Sequence, residues 1–153
     1  MPTSKGIVET LPYFAKHGGD WYGTYIHVDV DGNILDQHHS HLIPVFTPGS
    51  DSYTQTNIYT WDDGRQVEYG FTGVLQGDKV IYDTDRIYGE SWEADANTLI
   101  LKFHYKGDPN KFIYEYLHLS DDAQHRTRIW HWFDENGEVY KRTLIKETRT
   151  PPE

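Results

Sequence analysis

Apolar and polar positions exchange places with a period of two through most of the chain. From Trp21 onward this alternation runs in short stretches, and clusters of turn-forming residues interrupt it about every 8–12 residues. The pattern predicts ten strands: Trp21–Val30, Ile34–Phe46, Tyr53–Trp61, Gln66–Leu75, Lys79–Asp83, Ile87–Ala94, Thr98–Tyr105, Lys111–Leu119, Arg126–Phe133 and Val139–Thr148. The breaks include Asp31-Gly32, Asp62-Asp63-Gly64, Gln76-Gly77-Asp78 and Glu135-Asn136-Gly137, whose glycines supply the positive φ of tight hairpins. A helix is expected only over Glu9–His17, closed by Gly18-Gly19. Links this short exclude parallel crossovers, which need about a dozen residues or more, so the strands form a meander. An open meander leaves two edges free to pair with other chains, and closure removes them. The expected fold is all-β: a closed antiparallel up-and-down barrel of about ten strands with a short N-terminal helix. It forms one domain over residues 1–153 with its core at 18–149, and a tail frayed from Arg149 to Glu153.

Composition adds the character of the interior. The 153 residues suit a single domain. They include 12 Tyr, 5 Trp, 6 Phe and 9 His. Tyr and Trp form strands readily, and each brings a polar tip that wants a partner. An interior built from them is partly wet, so a cavity with aromatic faces and hydrogen-bonding groups is one reading, a plain β-rich core the other. The net charge of −10 argues against nucleic acid, which needs a basic groove even where aromatics stack bases. No run of 18 apolar residues is present, so no membrane helix is expected. The start, Met1 to Gly6, lacks the apolar stretch of a secretory leader, which makes the cytoplasm the expected compartment. Without cysteine there are no disulfides, thiolate nucleophiles or Cys-based metal sites. A homodimer stays open.

Some residues resemble a known group. Gly19-Asp20-Trp21, entering the first strand after a short helix, is similar to the G-x-W entry of the calycin superfamily, the lipocalins and fatty-acid-binding proteins. A longer string comprises Trp21-x-Gly23-x-Tyr25, Asp31-Gly32, Gln55-x-Asn57-x-Tyr59, Gly89-x-x-Trp92-Glu93, Tyr114-Glu115, Arg126-x-Arg128 and Thr143-Leu144-Ile145-x-Glu147-x-Arg149. Together they resemble the DUF3598-type family of uncharacterised, lipocalin-like bacterial proteins, over roughly residues 18–149. The resemblance implies a barrel with a ligand-sized interior. It also implies that Trp21 closes one end under an Arg of the last strand, Arg142 or Arg149 here. It carries no agreed reaction, since the superfamily includes chromophore lyases, isomerases, haem-binding barrels and carriers.

Hairpin arithmetic then assigns faces, because directly paired residues share one. A two-residue turn at Asp31-Gly32 sets His27 opposite Asp36, Tyr25 opposite His38, Gly23 opposite Ser40 and Trp21 opposite Leu42. With Trp21 inward, as the resemblance implies, His27, Asp36, His38 and Ser40 follow. A three-residue turn would instead place Gln37, His39 and His41 inside, and the first register is preferred. A three-residue loop at Asp62-Asp63-Gly64 puts Gln55, Asn57, Tyr59, Tyr69 and Phe71 in the lumen. Leu99, Leu101, Phe103 and Tyr105 also read as inside. At Glu135-Asn136-Gly137 a three-residue loop groups Arg128, Trp130, Tyr140 and Arg142, and a two-residue loop groups Ile129, His131, Phe133 and Arg142. Arg142 is the expected inward Arg either way. Glu90, Glu93 and Glu115 lie among aromatics such as Tyr114 and Tyr116; a buried carboxylate there needs Arg128 or Arg142 as partner.

These faces place candidate chemistry at one end. His27 opposite Asp36 would make a carboxylate-oriented imidazole at the barrel mouth, and His38 beside Tyr25 is the better-placed base. Ser40 has no Gly-x-Ser-x-Gly elbow around it. His39 and His41 share a face but read as a solvated strand, so neither a metal nor another cofactor is expected. Asp29 to Asn33 lacks the downstream Glu of a calcium loop. The expected function is binding of a small, partly aromatic and partly polar organic molecule in the lumen. Acid–base chemistry of lyase, isomerase or cyclase type would use His38, His27, Asp36 and Tyr25. The expected ligand contacts are Trp21, Ser40, Gln55, Asn57, Tyr59, Tyr69, Phe71, Phe103, Tyr116, Arg128, Trp130 and Arg142. A carrier or sensor without turnover and a haem- or metal-binding barrel are the alternatives.

Overall fold

In the computed structural model, which describes residues 5–152, every strand pairs antiparallel with its neighbours in sequence and the first pairs with the last. The strands are β1 (Trp21–Asp29), β2 (Ile34–Val45), β3 (Ser52–Thr60), β4 (Gln66–Gln76), β5 (Lys79–Asp83), β6 (Ile87–Asp95), β7 (Thr98–Tyr105), β8 (Phe112–Leu119), β9 (His125–Phe133) and β10 (Val139–Thr148). The result is a closed up-and-down barrel, with strand bounds within a residue of those expected from the alternation. Met1–Ser4, where a leader would begin, and Glu153 lie outside the described residues. Because the strands alternate in direction, the loops after β1, β3, β5, β7 and β9 crowd one end, which is the mouth. The N-terminal segment crosses the other end.

That segment forms two helical turns, α1 (Ile7–Thr10) and α2 (Pro12–Ala15), where one helix was expected over Glu9–His17. Proline lacks the N–H that would continue the ladder, so α1 stops at Leu11, whose φ of −127° and ψ of 71° break the helix. The two turns act as a plug. Ile7, Leu11, Tyr13 and Phe14 are buried against Tyr53, Val80, Tyr82, Leu99 and Leu117 of the barrel interior. Glu93 of β6 sits near the backbone N–H groups of Tyr13 and Phe14, which oppose the rise in its pKa that burial causes.

Trp21 lies beside the plug with no exposed surface. Its Nε1 donates to the His17 carbonyl at 2.9 Å. The Arg149 guanidinium lies 3.6 Å over its ring and donates to the carbonyls of Gly18 (2.5 Å) and Lys16 (3.0 Å). The covering Arg is therefore Arg149 and not Arg142, and Arg149 is anchored where fraying was expected. Arg149→Met is expected to cost about 1–2 kcal/mol, one cation–π contact and two charged hydrogen bonds less their solvation. Urea unfolding followed by Trp fluorescence measures this, and an unchanged midpoint would show the cover to be dispensable.

Two mouth hairpins carry a single-residue bulge just behind the turn. In β1–β2 the loop is three residues long, since the Asp29 N–H donates to the Asn33 carbonyl. The register then shifts between Val28↔Ile34 and His27↔Asp36, leaving Leu35 as the extra residue. In β9–β10 the Asp134 N–H donates to the Glu138 carbonyl, again a three-residue loop. A shift between Val139↔Phe133 and Lys141↔Trp132 leaves Tyr140 over. A bulge turns every later residue to the opposite face. In the first hairpin it restores the face expected from a two-residue turn; in the second it reverses the outcome. Arg142 pairs with His131 on the outer face, contrary to expectation, and Lys141 turns inward. Tyr116 also corrects the sequence reading. It is 39% exposed on the outside, because Glu115 takes the inward position beside it.

Candidate functional site

The barrel encloses a cavity of about 430 Å³ that opens between the mouth loops. Of the expected catalytic group, Tyr25, His27, Asp36 and His38 all line it. So do Gln55, Asn57, Tyr59, Tyr69, Phe71, Phe103, Arg128 and Trp130 from the expected ligand set. Trp21 and Ser40 face inward but are packed into the wall and closed end and do not reach the cavity. Arg142 and Tyr116 are outside it for the reasons above. His39 and His41 lie on the outer face with separate partners, Asp62 at 3.1 Å and Asp20 at 2.8 Å, and hold nothing in common.

On the β1–β2 wall the two histidines differ in what holds them. His27 Nδ1 lies 2.7 Å from Thr143 Oγ1, and Trp132 Nε1 donates to the same oxygen at 2.8 Å. The indole can only donate, so the threonine accepts there, and the same hydroxyl also bonds His27 Nδ1. Burial, helped by nearby Lys141, pulls the His27 pKa down to about 4, so the ring is neutral at neutral pH. The expected His27–Asp36 hydrogen bond does not form, although the two are directly paired across the hairpin. Asp36 takes Trp61 Nε1 on both carboxylate oxygens at 3.1 Å and stands 3.6 Å from His38 Nδ1.

His38 is packed among rings, stacked on Tyr25 at 4.8 Å between centroids and edge-on to Tyr59 at 4.9 Å. Neither ring nitrogen has a hydrogen-bond partner. Burial lowers its pKa despite the opposing pull of Asp36, so it too is neutral. The two neutral imidazoles lie side by side, 5.5 Å apart between centroids. Donor atoms of His27, Asp36 and His38 lie within 4.8 Å of one another, near enough to share an ion. Within that trio Thr143 already bonds His27 Nδ1, Trp61 bonds Asp36, and the charge of Lys141 lies nearby.

Deeper in, a polar chain crosses the lumen. Gln55 Nε2 donates to Asn57 Oδ1 at 2.8 Å, and Asn57 Nδ2 donates to the Tyr59 hydroxyl at 3.1 Å. That hydroxyl lies 3.5 Å from the Tyr25 hydroxyl, which receives Arg128 Nη2. The two tyrosines share one O–H···O contact, so one hydroxyl proton remains for an oxygen of a ligand. Burial raises both pKa values, keeping them as donors.

Behind Tyr25 lies an ion cluster that the sequence reading did not assemble. Glu147, 1% exposed, accepts Arg126 Nε at 2.7 Å and Arg128 Nε at 2.9 Å. Arg128 Nη1 donates to Glu115 at 2.5 Å, and Trp130 Nε1 donates to the same carboxylate. Burial alone would raise the Glu147 pKa; Arg126 and Arg128 overcome it and hold it at about 2. Also missed were His17, Arg86, Trp132 and Lys141, which line the cavity. His17 and Arg86 lie outside the strands, where alternation assigns no face.

The comparisons with known proteins agree with this architecture. The family model described as Domain of unknown function (DUF3598), N-terminal, matches residues 8–151. No curated protein matches the chain. Among solved structures, a DUF3598-family protein of unknown function from Nostoc punctiforme is 17% identical with a TM-score of 0.68, over 89% of this chain and 48% of that one. The chain thus spans about half the length of that protein. The S-type phycobiliprotein lyase CPES from Guillardia theta is 14% identical with a TM-score of 0.71, over 93% of each chain. Rv2717c from M. tuberculosis is 9% identical with a TM-score of 0.64, over 92% of this chain and 97% of that one. At such identities the likeness is one of fold. Built on a calycin-like barrel and matched along nearly its whole length, the chain belongs to the DUF3598 family.

Proposed function

We propose that the barrel takes a small, partly aromatic and partly polar organic molecule into its lumen and moves a proton within it, as an isomerase, cyclase or lyase does. The observation that carries this is the pair of neighbouring neutral imidazoles on one wall of the cavity, each beside a different polar partner. In this reading His38, with Asp36 beside it, takes a proton and His27, bonded to Thr143, returns one. The spare hydroxyl proton of the Tyr25–Tyr59 pair would stabilise the oxyanion formed between the two transfers. The phycobiliprotein lyase on the same fold supports the reading as a precedent for catalysis in such a barrel.

Small organic molecules that raise the thermal midpoint of the protein are the substrates to assay. For one that turns over, His38→Gln is expected to cut kcat by about 10²–10⁴-fold with little change in Kd. The rate should hold through neutral pH and fall on acidification as His38 takes up a proton, while His27 stays neutral down to about pH 4. Ligands that bind but never turn over, or equal losses of affinity and turnover in the variant, would assign a carrier instead.

A further inference from the structure

Two cations lining the cavity have no acid to pair with. Arg86, in the loop between β5 and β6, lays its guanidinium 3.6 Å from the centre of the Tyr69 ring and 5.9 Å from that of Tyr105. Lys141, turned inward by the β9–β10 bulge, holds its Nζ 3.8 Å from the Trp132 ring. Tyr105 and Trp132 stack at 6.2 Å, so the cations stand at the two ends of one aromatic row along the mouth. Neither has a carboxylate within 4.0 Å among the described residues.

Several nearby charges are otherwise engaged, and Arg65 of the β3–β4 loop lies over Trp61 and does not line the cavity. Lys106 pairs with Asp83 and Lys111 with Asp108. Asp29, Asp63 and Asp134 accept backbone N–H groups of their own loops. Asp36, the carboxylate that acts on Lys141 from a distance, is already held by Trp61. Deeper in the lumen, Arg126 and Arg128 are balanced by Glu115 and Glu147. In a chain of net charge −10, two unmatched cations over an aromatic floor form a binding surface for an anion. An arginine lying flat on a ring keeps its N–H edge free for a bidentate acid group. The exposed Asp31, Asp85, Glu135 and Glu138 of the outer loops would repel a polyanion and leave a single acid group admissible.

We propose that the lumen's ligand is an organic acid, its aromatic or conjugated body inside the barrel and its acid group held at the mouth by Arg86 and Lys141. This rests on the lumen-binding reading above. It adds a charge requirement that His27, His38 and the Tyr25–Tyr59 pair do not impose.

A matched pair of fluorescent probes tests it. Anilinonaphthalene sulfonate and phenylnaphthylamine share one aromatic framework and differ by the acid group. The sulfonate is expected to bind about tenfold more tightly or better, and its advantage should shrink with added salt. Arg86→Ala and Lys141→Met should each weaken the sulfonate by about threefold or more and leave phenylnaphthylamine unchanged, which also shows that the variants are folded. Equal affinities for the two probes, or equal weakening of both in the variants, would overturn the charge requirement with the lumen reading intact. If neither probe binds, the lumen reading fails and this proposal with it.

Discussion

Glu147→Gln should destabilise the protein by about 3–5 kcal/mol at neutral pH, the cost of leaving buried cations without their anion. Arg126 and Arg128 both fork onto this carboxylate, and each is only 4% exposed. The pH dependence identifies the cause. Glu147 titrates near pH 2 in the fold and near the ordinary glutamate value when unfolded. Its stabilisation is therefore complete above about pH 4.5 and drains away as the pH falls toward 2. The gap between wild type and variant should be wide at pH 7 and close progressively on acidification. A gap independent of pH would mean that the substitution acts through packing and that the charge is incidental. Wild type should also begin to weaken earlier, below about pH 6.5. There the unfolded chain takes up protons on His17 and His27 that burial denies them in the fold.

Gly23→Ala is expected to cost about 3 kcal/mol or more and to act at the seam that closes the barrel. Gly23 pairs with Ser40 on one side and with Glu147 on the other, where β1 meets β10. A Cβ there would collide with the Lys146 carbonyl oxygen and come within 2.7 Å of Glu147 Cγ. The first of these is backbone and cannot rotate away, so the strands would have to part. Gly70, on β4, has open space by comparison, its nearest atom being 3.9 Å from an added Cβ. Gly70→Ala is the control and should change stability by no more than about 1 kcal/mol. Guanidinium unfolding of both variants decides the matter, and similar midpoints would remove the seam argument.

Much of this was readable from particular residues. The Gly64 turn on β3–β4 carries no bulge, so counting outward from it placed Gln55, Asn57, Tyr59, Tyr69 and Phe71 in the lumen, and Tyr59↔Val67 and Asn57↔Tyr69 are the observed pairs. His27, Asp36 and His38 were also placed inside, yet by an argument in which two departures cancelled. The β1–β2 turn is one residue longer than assumed, and the bulge at Leu35 returns the parity. Where a bulge had no such compensation, at Tyr140, Arg142 was put on the wrong face and Lys141 went unnoticed. Tyr116 was counted as lining and lies outside, whereas Glu115, read as a buried carboxylate in need of Arg128 or Arg142, points inward and pairs with Arg128.

The chain's own alternation and its glycine turns determined ten antiparallel strands and the need to close them, because both signals are local: the period belongs to the strand and positive φ to the residue that adopts it. Bulge positions, the Arg126–Glu147–Arg128–Glu115 cluster, the Thr143 partner of His27 and the unmatched cations Arg86 and Lys141 were decided only in three dimensions. Each depends on groups far apart in sequence meeting across a curved wall. Whether a buried charge or imidazole is satisfied, neutral or free is a property of those meetings.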